Sequence, residues 1–292
     1  MSSLKIAIFS STEAILTYNL LKYLDTKTAA GEPLQFEIVF FFSDNSNPKV
    51  KYYNPFCSIL NPLYTSLNIT NELVKRKIPV EIIDIDEFYK LYKCDPIQTD
   101  IITSNQSISP VNKKDMLIRQ EFYKIVEEKL SAFEKQSNVK IDLILLDGYF
   151  SIITDPLLKR KILNCHHDGD LTKVNEKGER IYVGFHPTLH AFINEEKYIC
   201  LTTHFINHHL DAGEIIGVSA PLYIDFERDQ KYFDFTLPLN KDDYVKFFSD
   251  QKNYSKMRQI EDLYEAYLIV YSQTELALKS LDYITFMRRS RI

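Results

Sequence analysis

Hydrophobic positions along the first half of the chain follow two alternating patterns. Four short apolar runs have the length and composition of buried strands: residues 5–10, 36–42, 80–85 and 141–146. Three segments between them carry apolar residues at helical spacing: residues 13–24, 70–77 and 115–136. Strands that alternate with helices predict right-handed crossovers and a parallel sheet. The expected fold class is therefore α/β, with a doubly wound, mostly parallel, Rossmann-like sheet.

Two segments break this pattern. Residues 94–113 are rich in Ser, Asn, Asp, Thr and Pro, which predicts a surface loop. After residue 224, an irregular stretch precedes a charged and aromatic helical segment over 256–287 that contains neither Gly nor Pro. We expect a catalytic sheet domain at residues 1–224 and a helical C-terminal appendage at residues 225–292.

Composition narrows the class of protein. The 292 residues are 45% hydrophobic and 26% charged, which is ordinary globular usage. A net charge of −5 argues against a protein that holds nucleic acid or anionic lipid by bulk electrostatics. No apolar stretch reaches the roughly 18 residues of a membrane helix. The four cysteines form no C-x-x-C pair and the N-terminus lacks a signal-like pattern, which favours a cytoplasmic location.

Histidine and glycine are concentrated in one part of the chain. All seven His lie within residues 166–209, and six of the seven Gly lie in or near that stretch. Titratable imidazoles and glycine backbone often occur together where chemistry is done. Three segments in or near this stretch therefore contain the candidate functional residues: DGYFSII at 147–153, NCHHDGD at 164–170 and THFINHHLDAGEII at 203–216.

The middle piece predicts a pair of polar side chains at a strand end. A short strand at 162–163 would deliver Asn164 and His166 to its carboxyl end, with Cys165 facing the opposite way. A second strand at 201–206 would lead to Asp211 in the loop that follows. An amide beside an imidazole can bind an oxyanion, and a carboxylate in reach can orient the imidazole or take a proton. Acyl transfer is the chemistry that this combination favours.

The ordered pieces resemble the formyltransferase family that uses 10-formyltetrahydrofolate. The resemblance covers residues 140–222 and consists of N-x-H at 164–166, T-x-H at 202–204 and D-x-G-x-I-I at 211–216. Upstream, LDGYFSII at 146–153 is similar to the turn A-G-Y-x-R-I-L of the family. Members include glycinamide ribonucleotide formyltransferase and the N-terminal domain of methionyl-tRNA formyltransferase.

The resemblance implies transfer of a formyl group from 10-formyltetrahydrofolate to an amine. Asn164 and protonated His166 would stabilise the tetrahedral oxyanion, while Asp211 would keep His166 charged or relay a proton. No metal is implied. Seven residues would line the folate pocket: Gly148, Tyr149, Phe150, Ser151, Ile152, Ile153 and Gly213. The implied partner is a small-molecule amine; membrane is excluded, nucleic acid is disfavoured, and a homodimer is one alternative.

The chain departs from the family on the acceptor side. His167 stands where members carry Pro, the polar segment KVNEKGER at 173–180 lengthens the next loop, and SSTE at 10–13 replaces a glycine-rich phosphate loop. The acceptor therefore stays open, a nucleotide sugar or a ribonucleotide amine being two alternatives. Two other functions also stay open: a 10-formyltetrahydrofolate hydrolase, and a non-catalytic folate-binding, nucleotide-binding or scaffold protein.

The remaining histidines and Cys165 have simpler interpretations. His204 lies on a predicted strand, where a structural role that braces the site is favoured. Four histidines could form a zinc site, although no H-E-x-x-H motif is present: His186, His190, His208 and His209. Strand alternation turns Cys165 into the core, which disfavours a nucleophilic role.

Overall fold

A seven-stranded sheet forms the centre of the computed structural model, which describes residues 3–46, 54–93, 113–238, 243, 246–248 and 250–290. Its strands are β1 Leu4–Ser10, β2 Phe36–Ser43, β3 Val80–Ile82, β4 Leu143–Leu146, β5 Ile162–His167, β7 Thr202–Phe205 and β8 Ile215–Val218. Their order is β3-β2-β1-β4-β5-β7-β8. The first five are parallel, whereas β7 is antiparallel to β5 and β8 to β7. A separate antiparallel pair consists of β6 Tyr198–Ile199 and β9 Leu222–Tyr223. The expected doubly wound, mostly parallel sheet is confirmed.

Helices flank this sheet. They are α1 Ile15–Ala29, α2 Pro55–Leu60, α3 Ile69–Lys75, α4 Ile85–Lys90, α5 Lys113–Ser137, α6 Pro187–Ile193, α7 Phe226–Asp229, α8 Tyr254–Leu268 and α9 Thr274–Ser290. A π-helix, Ile269–Gln273, joins α8 to α9. None of the helices in the described ranges is long and apolar enough to cross a membrane. The predicted loop at 94–113 lies outside the described residues, except that Lys113 begins α5.

The predicted strand at 80–85 is wrong in its second half. The Asp84 side chain accepts hydrogen bonds from the backbone N–H groups of Asp86 and Glu87, so it caps the start of α4. Ile85 is buried as the first residue of that helix rather than as part of β3. A cap therefore ends the strand at Ile82, although the hydrophobic run continues.

Both faces of the sheet are covered by helices, which explains why its strands are apolar on both sides. On one face, Ile6 and Ile8 pack with residues of α1 and α9. On the other, Phe9 packs with residues of α4 and α5, such as Phe122. Successive β1 residues alternate between the two clusters, as the strand period requires.

The C-terminal helices pack into the core of the sheet. Ala277, Leu281 and Ile284 of α9 belong to the same buried cluster as β1, β4 and β5. In α8, Ile260 and Tyr264 are fully buried in a further cluster with residues of α2, α6 and α7. Residues 225–292 were expected as an appendage, yet their apolar side chains contribute to two of the clusters that hold the sheet and its flanking helices together.

We predict that Leu281→Ala lowers the free energy of unfolding by about 2–5 kcal/mol, because it removes a fully buried side chain and leaves a cavity. Tyr283→Ala is the matched control on the same helix, since Tyr283 is 46% exposed, and its effect should stay within about 0.5 kcal/mol. Urea denaturation measures both. A main unfolding transition that is unchanged in Leu281→Ala would show that α9 does not stabilise the sheet.

Candidate active site

The pairing of β5 with β7 contains a bulge. Asn164 lies opposite His204 and His167 lies opposite Thr202, so β5 advances three residues while β7 advances two. The extra residue falls at Cys165 and His166. Because residues paired across strands share a face, His167 takes the position beside Asn164 and His204 that regular alternation would give to His166. The simple alternation expected from the sequence is therefore wrong beyond Cys165.

Asn164 nevertheless contacts the backbone of His166 at the carboxyl end of β5. The Asn164 Oδ1 accepts a hydrogen bond from the His166 backbone N–H at 3.0 Å, which fixes the amide orientation. Its Nδ2 then faces His204 Nε2 at 3.3 Å. The other hydrogen of Nδ2 has no partner among the residues that the structure describes, so it is available to a ligand.

Gln273 of the π-helix fixes the tautomer of His166. The Gln273 Nε2 lies 3.3 Å from the Cys165 carbonyl oxygen and 2.9 Å from His166 Nδ1. A carbonyl oxygen only accepts hydrogen bonds, so this atom is the amide donor and Nδ1 must accept. Burial lowers the pKa of His166, against the opposing charge of Asp168. A neutral His166 that carries its proton on Nε2 follows, whereas the resemblance implies a protonated imidazole.

Asp211 contacts two other histidines. Its Oδ1 lies 3.5 Å from His204 Nε2 and its Oδ2 lies 3.7 Å from His167 Nδ1. Oδ2 also accepts a hydrogen bond from the Gly184 backbone N–H at 2.7 Å. Burial lowers the pKa of His204 to about 4. Asp211 was expected to interact with His166. Because the bulge places His167 next to Asp211, the carboxylate contacts His167 and His204 instead, and His204 in turn faces the Asn164 amide.

The loop before β8 depends on close backbone packing. A Cβ on Gly213 would lie 1.7 Å from the Phe205 carbonyl oxygen, so only glycine fits. Asp211 adopts a left-handed conformation with φ of 47°. Arg180, from the polar insertion, donates hydrogen bonds to the carbonyl oxygens of Asp211 and Gly213. Gly213 was expected to line the folate pocket; its observed contacts are with this loop and with β7.

The turn after β4 is held by internal polar contacts. Gly148 has φ of +60°, and a Cβ there would lie 2.6 Å from the side chain of Thr12. Asp147 accepts hydrogen bonds from the Thr17 backbone and hydroxyl at 2.8 and 2.7 Å, while burial raises its pKa to about 6. Ser151 donates to Asp44. These contacts tie the turn to the start of α1 and to the segment that follows β2.

The side chains of the same turn point in different directions. The Tyr149 hydroxyl lies 3.1 Å from that of Tyr123, and its ring packs on Phe9 inside the core. Ile153 is buried in the same cluster. The Phe150 ring lies edge to face with the His166 imidazole, with ring centres 6.0 Å apart. Phe150 is thus the expected folate residue that the structure places directly against His166.

A cluster of three carboxylates combines Asp168, two residues after His166, with two glutamates of α8. Asp168, Glu261 and Glu265 each offer an oxygen within 4.8 Å of the others. The Glu261 side chain is fully buried and pairs with His186 at 3.1 Å and with Arg258. Burial, together with the charges of Glu261 and Asp168, raises the pKa of Glu265 well above its ordinary value. Sequence reasoning missed this cluster, whose one signal was the i, i+4 spacing of two glutamates on a predicted helix.

The four histidines considered for zinc are not brought together. His186 lies immediately before α6 and beside Glu261, while His208 and His209 are exposed in the loop after β7. Among the described residues, the groups close enough to share an ion contain none of the four. Cys165 is buried, and burial raises the pKa of its thiol, which is the opposite of what an activated nucleophile needs.

No family model and no curated protein matches this chain. Among solved structures it is similar to phosphoribosylglycinamide formyltransferase from Bacillus halodurans, with 18% identity over 91% of this chain and 93% of that one and a TM-score of 0.46. It is also similar to glycinamide ribonucleotide transformylase 1 from Geobacillus kaustophilus, with 14% identity, coverage of 94% and 100%, and a TM-score of 0.46. A formyltetrahydrofolate deformylase from Pseudomonas syringae pv. tomato gives 16% identity, coverage of 89% and 61%, and a TM-score of 0.44. Likeness at this level assigns neither a substrate nor a reaction to the chain.

We predict that His166 is neutral with its proton on Nε2, because the Gln273 amide donates to Nδ1. Two-dimensional ¹⁵N–¹H spectra that correlate the ring nitrogens with the carbon-bound ring protons identify the protonated nitrogen. Gln273→Leu should leave His166 in a mixture of tautomers, whereas Tyr271→Leu, a change at an exposed neighbour, should leave the spectrum unchanged. A proton on Nδ1 in the unaltered chain would contradict this assignment.

Proposed function

We propose that the chain transfers a formyl group from 10-formyltetrahydrofolate to an amine. The observation that carries the proposal is that two side chains at the end of β5 are fixed as donors: the Asn164 amide by its bond to the His166 backbone, and the His166 Nε2–H by Gln273. The sequence resemblance assigns this pair the same chemistry. Two preorganised donors at one strand end suit an oxyanion that develops during acyl transfer.

The proposed reaction proceeds through a tetrahedral intermediate. The amine nitrogen attacks the formyl carbon, a new C–N bond forms, and the carbonyl oxygen becomes an oxyanion that accepts hydrogen bonds from Asn164 Nδ2 and His166 Nε2. The bond to N10 of the folate then breaks, N10 takes up a proton, and the amine loses one. Asp211 contacts neither donor directly in this scheme; its carboxylate lies next to His204, whose Nε2 faces the Asn164 amide.

The donor is proposed to bind along the turn at residues 147–153. The Phe150 ring provides apolar surface next to His166, Ile152 is half-buried in the same turn, and Gly148 lets the turn pack closely on Thr12. Tyr149, Ser151 and Ile153 would act through the shape of the turn, since their side chains are held by the core or by Asp44.

The acceptor is proposed to be an amine without a phosphate group. Asp168, two residues after His166, places a negative charge close to the imidazole, which favours a cationic amine over a phosphate group there. At the turn of residues 10–13, the Ser11 hydroxyl donates to the buried Asp44 carboxylate at 2.6 Å, so it is not available to donate to a phosphate group.

The test is a kinetic comparison of Asn164→Ala and His166→Ala with the unaltered chain, in the presence of 10-formyltetrahydrofolate and amines offered with and without a phosphate group. Each substitution removes one oxyanion donor and should lower kcat by about 10²–10³-fold. The unphosphorylated amine should react faster than its phosphorylated form. Mass spectrometry of the formylated amine and absorbance of the released tetrahydrofolate follow the reaction.

His209→Ala is the control, since His209 is exposed in the loop after β7 and should keep the full rate. Wild-type rates in both Asn164→Ala and His166→Ala would refute the assignment of the pair. Formate that appears at the same rate with and without an amine would indicate the hydrolase instead. A preference for the phosphorylated amine would overturn only the proposed acceptor class.

A further inference from the structure

We propose that His167, His204 and Asp211 bind one zinc ion. His167 Nδ1, His204 Nε2 and the Asp211 carboxylate lie within 4.8 Å of one another. All three side chains are at least nine-tenths buried, with exposed fractions of 5%, 0% and 8%. The three come from β5, β7 and the loop before β8, so an ion here would join the elements that frame the candidate active site.

The hydrogen bond that each imidazole makes away from Asp211 determines which ring nitrogen carries the proton. His204 Nδ1 donates to the Phe205 carbonyl oxygen at 3.0 Å, and His167 Nε2 donates to the Tyr182 carbonyl oxygen at 2.7 Å. In each neutral ring, the nitrogen that faces Asp211 then carries a lone pair instead of a proton. The lone pair of His167 Nδ1 faces the buried carboxylate, and that of His204 Nε2 is shared between the carboxylate and the Asn164 amide; a cation between the three groups would attract all of them.

The geometry suits zinc. Zn–N and Zn–O bonds of about 2.0–2.1 Å at tetrahedral angles place neighbouring ligand atoms about 3.3 Å apart. His204 Nε2 lies 3.5 Å from Oδ1 of Asp211 and His167 Nδ1 lies 3.7 Å from Oδ2, so the two imidazoles approach different oxygens of one carboxylate, and the ligand atoms, now within 4.8 Å of one another, would move closer together around the ion. Imidazole ligands that donate their other N–H to backbone carbonyl oxygens are the usual support for such sites. Two imidazoles and one carboxylate leave a fourth position for water or a substrate.

Other contacts of these groups are compatible with an ion. The Gly184 N–H donates to Asp211 Oδ2, and a carboxylate oxygen can accept this bond while it binds a metal. Arg180 donates to the backbone carbonyl oxygen of Asp211, not to its carboxylate. The Asn164 amide faces His204 Nε2 at 3.3 Å, so zinc would replace that contact and free the amide hydrogen.

Zinc binding by the full chain tests the proposal. The purified chain is stripped with a chelator, and its zinc affinity is measured by competition with a chromophoric chelator in the absence of folate and amine. About one zinc per chain should bind, and the thermal unfolding midpoint should rise with zinc. Asp211→Asn and His167→Gln should each weaken binding at least about tenfold. His209→Gln, at an exposed position in the same region, should bind like the unaltered chain.

Cobalt provides a readout that needs no variant. Co²⁺ in the stripped chain should give the strong visible absorption of a four-coordinate site, and zinc should abolish it. Absence of a stoichiometric zinc, or equal affinity in Asp211→Asn, His167→Gln and the unaltered chain, would overturn the proposal. Because no folate or amine is present, this result is independent of whether the chain transfers formyl groups.

Discussion

The pairing of β5 with β7 shifts by one residue at Cys165 and His166, and the direction of each polar group in the candidate site depends on that shift. A strand without the bulge would place Asn164 and His166 together on one face, and His167 on the opposite face. With the bulge, His167 joins Asn164 and His204 next to Asp211, while His166 turns towards Gln273 and Phe150. The carboxyl end of β5 therefore carries two sets of groups. One is Asn164 and His167 with His204 and Asp211, and the other is His166 with Gln273.

The C-terminal helices also determine the arrangement of the candidate site. Gln273 lies in the π-helix between α8 and α9 and holds both His166 and the Cys165 carbonyl, so the tail contributes directly to the bulge. Glu261 and Glu265 of α8 supply two of the three clustered carboxylates. Like charges in a buried region raise the free energy of the folded state unless one is protonated or a cation is bound. The same helices are anchored by apolar packing, which offsets this cost.

Hydrophobic periodicity predicted the α/β class, the parallel core strands and the long helix α5, because these depend on local patterns of burial. It also placed Asn164, His166 and Asp211 near one strand end. Hydrophobic periodicity could not predict the bulge, because the alternation of side chains along a strand does not show where the pairing with a neighbouring strand gains one extra residue. Nor could it predict Gln273, which lies 108 residues from Cys165 along the chain and meets it only through tertiary packing. The end of β3 was missed for a different reason: the Asp84 cap outweighed a continuing apolar run.

The central claim is that Asn164 and His166 direct a formyl group from folate to an amine. Carbon-13 NMR of the unaltered chain with 10-formyltetrahydrofolate labelled at the formyl carbon, recorded with and without an unphosphorylated amine, follows that carbon directly. The account predicts that the label appears in a new formamide only when the amine is present, with an equal amount of tetrahydrofolate. Label that stays on the folate, or that passes only into formate, would contradict it.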